Sequence, residues 1–217
     1  SHELKTPLTS DEILDSFAPP ETVGFWDLGR GNWSEKFRRD EESYFRMGRR
    51  MLTLPYPLVF HGSAGLCARV MEERRALGLE DRTRVVEMTL EQLPRAPLRP
   101  RIAEVMRGFE RADAAVRPAD PDNPEYTNPD YDVVMFSKVP LVAGVALANP
   151  FASSHFAWLD FGVRATVLYD RHLGRPVLTR VPDRIRILQR HPLKPDPRRD
   201  VVQHMMTRTT AALAGTM

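Results

Sequence analysis

A single carboxylate closes the most apolar stretch of the chain. Four apolar or aromatic residues at positions 156–159 lead directly into Asp160, and Gly162 follows two positions later. An ionised group beside a core needs a partner, so the sequence predicts that Asp160 faces a bound ligand through a divalent cation, Mn²⁺ or Mg²⁺. The alternative is that Asp160 caps the next turn through its own backbone.

A second polar group follows the first predicted strand, at 21–25. Asp27 and Arg30 lie there in a loop with two glycines, and Arg38 is predicted in the first turn of a helix capped by Ser34. We expect Asp27 to accept from a base or ribose, Arg30 to face phosphate, and Arg38 to reach back to the loop. The spacing is not GxGxxG, so it carries no dinucleotide fingerprint. A purely structural turn, with its two tryptophans anchored in the core, remains the alternative.

Lys138 is the third candidate for ligand binding. It is the only lysine between Lys36 and Lys194 in a chain whose basic residues are nearly all arginine. The sequence predicts a helix that begins with Ser137 as its cap, has Pro140 in its first turn and stops at Asn149-Pro150. A single lysine entering an apolar helix suggests a phosphate contact, whereas an exposed lysine without a role is the alternative.

Other chemistries find no support in the residue pattern. Cys67 lies inside a helical pattern and is interpreted as packing, and the six histidines show neither HxxxH nor HExxH spacing. No catalytic residue is therefore assigned. The remaining carboxylate, loop and cationic groups suit a diphosphate-bearing ligand with a hard cation.

Alternating strands and helices must position these groups. Strands are predicted at 21–25, 57–61, 83–88 and 156–160, with helical patterns between them. This alternation predicts an α/β fold, a three-layer sandwich with a mainly parallel sheet between helices. Ligands of such sheets bind at the carboxyl ends of the strands, where Asp27, Arg30 and Asp160 would meet.

Composition limits the class of protein. The 217 residues carry a net charge of +2 with 28% charged and 42% apolar residues, which argues against a nucleic-acid polymer as partner. One cysteine fits a reducing compartment, and we expect a cytoplasmic protein without a transmembrane segment. Residues 1–20 are interpreted as an N-terminal lead-in or tag, and 21–217 as one domain.

Six short stretches in a fixed order carry a resemblance to a known family. They are Val23-Gly24-Phe25-Trp26-Asp27-Leu28-Gly29-Arg30, Glu42-Ser43-Tyr44-Phe45 after Arg38 or Arg39, Pro57-Leu58-Val59-Phe60, Ser137-Lys138, Asn149-Pro150-Phe151 and Phe156-Ala157-Trp158-Leu159-Asp160-Phe161-Gly162. Together they resemble the HtrL/YibB-like proteins, which are associated with bacterial surface-polysaccharide loci and are similar to GT-A nucleotide-sugar glycosyltransferases. The match covers about residues 22 to 217.

The resemblance implies a Rossmann-like GT-A-type fold and a glycosyltransferase. Such an enzyme transfers a sugar from a nucleotide-diphosphate donor to a surface-glycan acceptor, in the cytoplasm or peripherally at the inner membrane. Asp160 would correspond to the metal-binding acidic motif, although GT-A enzymes usually carry Asp-x-Asp and this chain has one Asp. The fold normally continues beyond the last residues here, so we expect a C-terminally truncated domain. A non-catalytic interaction or scaffold protein that keeps the fold is the alternative.

Overall fold

A six-stranded sheet organises the chain. The computed structural model describes residues 21–108 and 122–162, together with the backbone of two short strands at 186–187 and 213–216. Predictions for residues 1–20, for 109–121 and for most of 163–217 lie outside the described residues. The strands, numbered along the chain, are β1 Glu21–Phe25, β2 Leu58–Gly62, β3 Thr83–Glu87, β4 His155–Asp160, β5 Arg186–Ile187 and β6 Leu213–Thr216.

Five α-helices lie in the described ranges, and they fill the connections between the strands. They are α1 Glu41–Leu52, α2 Ala64–Ala76, α3 Arg99–Gly108, α4 Pro124–Thr127 and α5 Pro129–Ala148. The sheet order is β3-β2-β1-β4-β6-β5, and β1 to β4 all run parallel. Strand β6 runs antiparallel to β4, and β5 antiparallel to β6. The predicted α/β fold with a mainly parallel sheet is confirmed.

Helices cover both faces of the sheet. Alternate residues of a strand point to opposite faces, so each face has apolar side chains to be buried. On one face Val23, Phe60 and Leu159 pack with buried side chains of α1 and α2. On the other face Val59 and Trp158 pack with buried side chains of α5. Apolar clusters on both faces of the sheet explain why β2 and β4 are nearly continuous apolar runs.

Two helices begin at residues other than the predicted ones. Helix α1 is capped by Asp40, whose Oδ1 accepts from the backbone N of Ser43 at 2.7 Å, and not by Ser34. Helix α5 is capped by Asn128 rather than Ser137, so Ser137 lies inside the helix. Asp40 and Asn128 satisfy N–H groups that the first turn leaves without partners. Serine is as good a cap as Asp or Asn, so tertiary packing selects the helix start. The predicted end of α5 at Asn149 is confirmed.

A buried arginine ties together the edge of the sheet far from the carboxyl ends. The Arg74 guanidinium donates to the carbonyls of Leu52, Leu54 and Tyr56 and to Thr83 Oγ1 at 2.6–3.0 Å. These bonds join α2 to β3 and to the segment that precedes β2. The side chain is 1% exposed, so its charge is balanced mainly by carbonyl dipoles.

Helix α5 also has the length and apolar composition of a membrane-spanning helix, judged within the described part of the chain. It is 20 residues long, and 33% of its most apolar window is buried. Core helices of soluble proteins meet the same two criteria, so this is weak support for a span. The expectation that the chain has no transmembrane segment stays a prediction.

Candidate functional site

The candidate site lies where the strand order reverses. The connection from β1 leads to β2 on one side, whereas β4 pairs with β1 on the other side. Gly24 of β1 is the register partner of Asp160 at the carboxyl end of β4. Open α/β sheets bind ligands in the crevice at such a point, because loops from the two neighbouring strands diverge there.

Gly24 makes room for two tryptophan rings beside Asp160. A Cβ at this position would lie 2.5 Å from the ring of Trp26 and 2.9 Å from that of Trp158. Trp26 is held in turn by a bond from its Nε1 to the carbonyl of Met88 at 2.8 Å. Any larger residue at position 24 would displace these two rings.

Asp160 is engaged by two donors on one oxygen. Lys138 Nζ lies 2.5 Å from Asp160 Oδ1, and Trp158 Nε1 donates to the same oxygen at 2.8 Å. The Lys138 side chain is 8% exposed and the Asp160 side chain 26% exposed. The carboxylate therefore lies at the border of the core, beside a nearly buried ammonium.

Arg30 is held in the same region by aromatic rings. Its guanidinium carbon lies 4.9 Å from the ring centroids of Trp33 and Tyr44 and 5.6 Å from that of Tyr131. Cation–π contacts of this kind orient a guanidinium without neutralising it. The planar donor fork of Arg30 thus remains able to bind an anion.

Two tyrosine hydroxyls complete the cluster. Burial raises the pKa of Tyr44 and of Tyr131; the positive charge of Arg30 opposes this and the negative charge of Asp160 adds to it. Both hydroxyls therefore stay protonated around neutral pH. Gly162, directly after β4, leaves the space that the Tyr44 hydroxyl occupies. Neutral hydroxyls at this place are hydrogen-bond donors for an anionic ligand.

Glu125 interacts electrostatically with Lys138 and with Tyr131, and Asp132 lies near Glu125. Burial, followed by the nearby charge of Glu125, raises the pKa of Asp132 to about 7. Burial also raises the pKa of Glu125, against the opposing effects of an Asn123 hydrogen bond and the Lys138 charge. A carboxyl group with a pKa near neutrality can exchange a proton during a reaction.

Sequence reasoning missed three residues of this cluster: Tyr44, Glu125 and Tyr131. A usable signal was present in the Asn128-Pro129 pair, which caps α5 and sets Pro at its first position. With the helix started there, Tyr131 and Lys138 are seven residues apart and lie on one face. Tyr44, which contacts Arg30 from α1, had no such signal in the sequence.

The five predicted binding residues divide into two groups. The structure brings Arg30, Lys138 and Asp160 to the same edge of the sheet. Asp27 is exposed and its Oδ1 accepts from the backbone N of Gly29 at 3.0 Å, as in a local turn. Arg38 lies within the β1–α1 loop and not in the first turn of a helix as predicted; it is exposed, and its Nε donates to the Trp33 carbonyl of the same loop at 3.3 Å.

The donor set around Asp160 is a poor fit for a divalent cation. Mg²⁺ or Mn²⁺ prefers oxygen ligands, and Asp160 Oδ1 already accepts from an ammonium and an indole. In the described ranges no group of three or more His, Cys, Asp or Glu side chains is placed to hold a metal ion. The cation stays a sequence-based prediction.

Comparison with known proteins identifies the family. A profile described as "Bacterial protein of unknown function (HtrL_YibB)" matches residues 21–171, well over half of the chain. The chain belongs to the HtrL_YibB family. The matched region contains β1 to β4 and all of the clustered residues, so the candidate site lies within the family's own domain.

A curated relative of the HtrL_YibB chain is similar at moderate identity. It is "Protein HtrL" of Escherichia coli (strain K12), 27% identical over 146 residues, which are 64% of this chain and 49% of the relative. The chain thus matches about half the length of that relative. No solved structure matches the chain significantly.

Proposed function

We propose that this chain is the donor-binding part of a glycosyltransferase that uses a nucleotide-diphosphate sugar and a surface-glycan acceptor. The supporting observation is the pair of cationic side chains, Arg30 and Lys138, beside the carboxyl ends of β1 and β4. Lysine and arginine are the side chains that bind phosphate oxygens, and this edge is where α/β sheets bind nucleotides. The Rossmann-like GT-A type is part of the same proposal.

The diphosphate of the donor would face Lys138, Arg30 and the hydroxyls of Tyr44 and Tyr131. In the transfer, an acceptor hydroxyl oxygen bonds to the anomeric carbon while the bond from that carbon to phosphate oxygen breaks. The diphosphate leaves with the electron pair, and the two cations stabilise its charge. Glu125, which interacts electrostatically with both Lys138 and Tyr131, is the carboxylate of the cluster suited to receive the proton.

The nucleoside end of the donor would lie along the β1–α1 loop. Asp27 is exposed there and can accept from a base or ribose, and the half-exposed ring of Trp33 offers a stacking face. Arg38 lies in the same loop and adds positive charge there. These residues would contact the nucleoside while Arg30 faces the phosphates.

A non-catalytic scaffold or interaction protein is the second candidate. The observation that favours it is the Lys138 contact on Asp160, which neutralises the carboxylate at the end of β4. Under this candidate the fold would be kept and nucleotide-sugar binding lost. The two candidates differ in one measurable property, which is affinity for nucleoside diphosphates.

The test is calorimetric binding of the 217-residue chain to a panel of nucleoside-diphosphate sugars and to the matching nucleosides. Binding of one diphosphate sugar, with at least about tenfold weaker binding of its nucleoside, supports the donor site. Release of labelled sugar to a glycan acceptor, assayed with a family member of full length, tests the transfer itself. Failure of every nucleoside diphosphate to bind would favour the scaffold.

A further inference from the structure

We propose that the ammonium of Lys138 takes the place of a divalent cation at Asp160, so that Lys138 and Arg30 hold the ligand's diphosphate without Mg²⁺ or Mn²⁺. This inference rests on the proposed function and names the phosphate-binding chemistry of the same site. It makes Asp160 a positioning residue for Lys138 and not a metal ligand.

The first support is the geometry at Asp160 Oδ1. This oxygen accepts from Lys138 Nζ at 2.5 Å and from Trp158 Nε1 at 2.8 Å. A metal ion bound to the same carboxylate would approach the ammonium closely, and two positive charges repel strongly at the border of a core. The carboxylate is thus arranged for one cation, and the chain supplies that cation itself.

The second support is the way in which Lys138 is held. Its side chain is 8% exposed, and its Nζ also lies 5.8 Å from the centroid of the Trp158 ring. An ammonium has three N–H donors, of which the Asp160 contact uses one. The remaining donors, fixed in direction by this contact, can bind phosphate oxygens at little entropic cost.

The third support is Arg30. Within the described part of the chain its guanidinium contacts three aromatic rings and forms no ion pair with a carboxylate. Because Asp160 is paired with Lys138, no carboxylate of the described residues is left to pair with Arg30 at this edge. An anion with at least two phosphates can contact Arg30 and Lys138 together, whereas a single phosphate contacts fewer donors.

The experiment measures binding of nucleoside diphosphates to the whole chain in EDTA and in Mn²⁺. We expect dissociation constants that agree within about threefold, a difference well below the tenfold that corresponds to 1.4 kcal/mol. Binding that requires Mn²⁺ would overturn the inference while leaving the donor site intact. An absence of binding in both buffers would instead overturn the proposed function, and this inference with it.

Two variants separate the role of Lys138 from a general loss of structure. Lys138→Met should weaken diphosphate binding about 10- to 100-fold, as expected for lost charged hydrogen bonds, and leave nucleoside binding unchanged. It also frees Asp160, so Mn²⁺ should now restore part of the affinity. The double variant Lys138→Met/Asp160→Asn should lose that restoration.

The matched control is Arg107→Met, which removes an exposed cation from α3. It should bind diphosphate as the unmodified chain does, and circular dichroism should show the same fold in all variants. If Lys138→Met binds diphosphate as well as the control, with or without Mn²⁺, the inference is wrong.

Discussion

Lys138 of α5 and Asp160 of β4 form an ion pair of 2.5 Å at the point where the strand order of the sheet reverses. The sequence predicted that Lys138 binds phosphate and that Asp160 binds a divalent cation. In the structure these two residues contact each other directly. The pair changes what each can do. Asp160 has one oxygen already engaged, and Lys138 is fixed in a direction that a free lysine would not keep.

We expect the pair to contribute to stability as a coupled unit. Asp160→Asn leaves a nearly buried ammonium without its counter-ion, and Lys138→Met leaves the carboxylate without its main donor. A double-mutant cycle by urea unfolding should give a coupling free energy of about 0.5–3 kcal/mol. Additive single-variant effects, with coupling near zero, would show that the contact has no energetic role.

Gly24 should be intolerant of even the smallest side chain. Gly24→Ala places a methyl group against the rings of Trp26 and Trp158, so the free energy of unfolding should fall by about 1–3 kcal/mol. Tryptophan fluorescence should shift as well, because both rings must move.

Gly144 on α5 is the matched control for this substitution. No atom lies within 4 Å of a Cβ built there, and the residue is exposed in a helix. Gly144→Ala should therefore stabilise the protein by about 0.4–1 kcal/mol. Equal effects at both glycines would contradict the packing described around Gly24.

Stability should fall toward alkaline pH because of Glu21. Burial, opposed by the positive charge of Arg74, raises the pKa of Glu21 from its usual 4.5 to about 8. The folded state therefore keeps a proton that the unfolded state releases, so stability is greatest below about pH 4.5 for this group and is lost as pH rises through about 8. Urea unfolding of Glu21→Gln from pH 5 to 9 should show a flatter dependence, and an unchanged slope would contradict this assignment.

His61, in contrast to Glu21, should make the protein less stable as the pH falls. Burial lowers the pKa of His61 from 6.5 to about 4, and neither ring nitrogen has a hydrogen-bond partner among the described residues. As pH falls from about 6.5 toward 4, the unfolded state takes up a proton that the folded state does not, so stability is lost.

The His61→Phe variant tests that loss, since it keeps a ring of similar shape and cannot titrate. Its stability should change less than that of the unmodified chain between pH 6.5 and 4. His155→Phe, at the less buried start of β4, is the control. If both variants retain the full acid sensitivity, groups other than His61 are responsible.

Local patterns in the sequence were sufficient to predict the four parallel strands of the sheet. The buried runs that became β1, β2 and β4 were recognisable because strands of a parallel sheet are apolar on both faces. The position of Asp160 at a strand end followed from the same run. Helix starts were less predictable, since Ser34 and Asp40 are both acceptable caps and only packing of α1 on the sheet selects between them.

What the amino-acid sequence determined by itself is therefore the α/β class, the order of its elements and the place of Asp160 at a strand end, because these follow from apolar periodicity within short segments. Only the tertiary structure decided that Lys138 pairs with Asp160 and that Arg30 lies among the rings of Trp33, Tyr44 and Tyr131. These partners come from different helices and strands. Their contact depends on how α1 and α5 pack on the two faces of the sheet, and no local pattern records that packing.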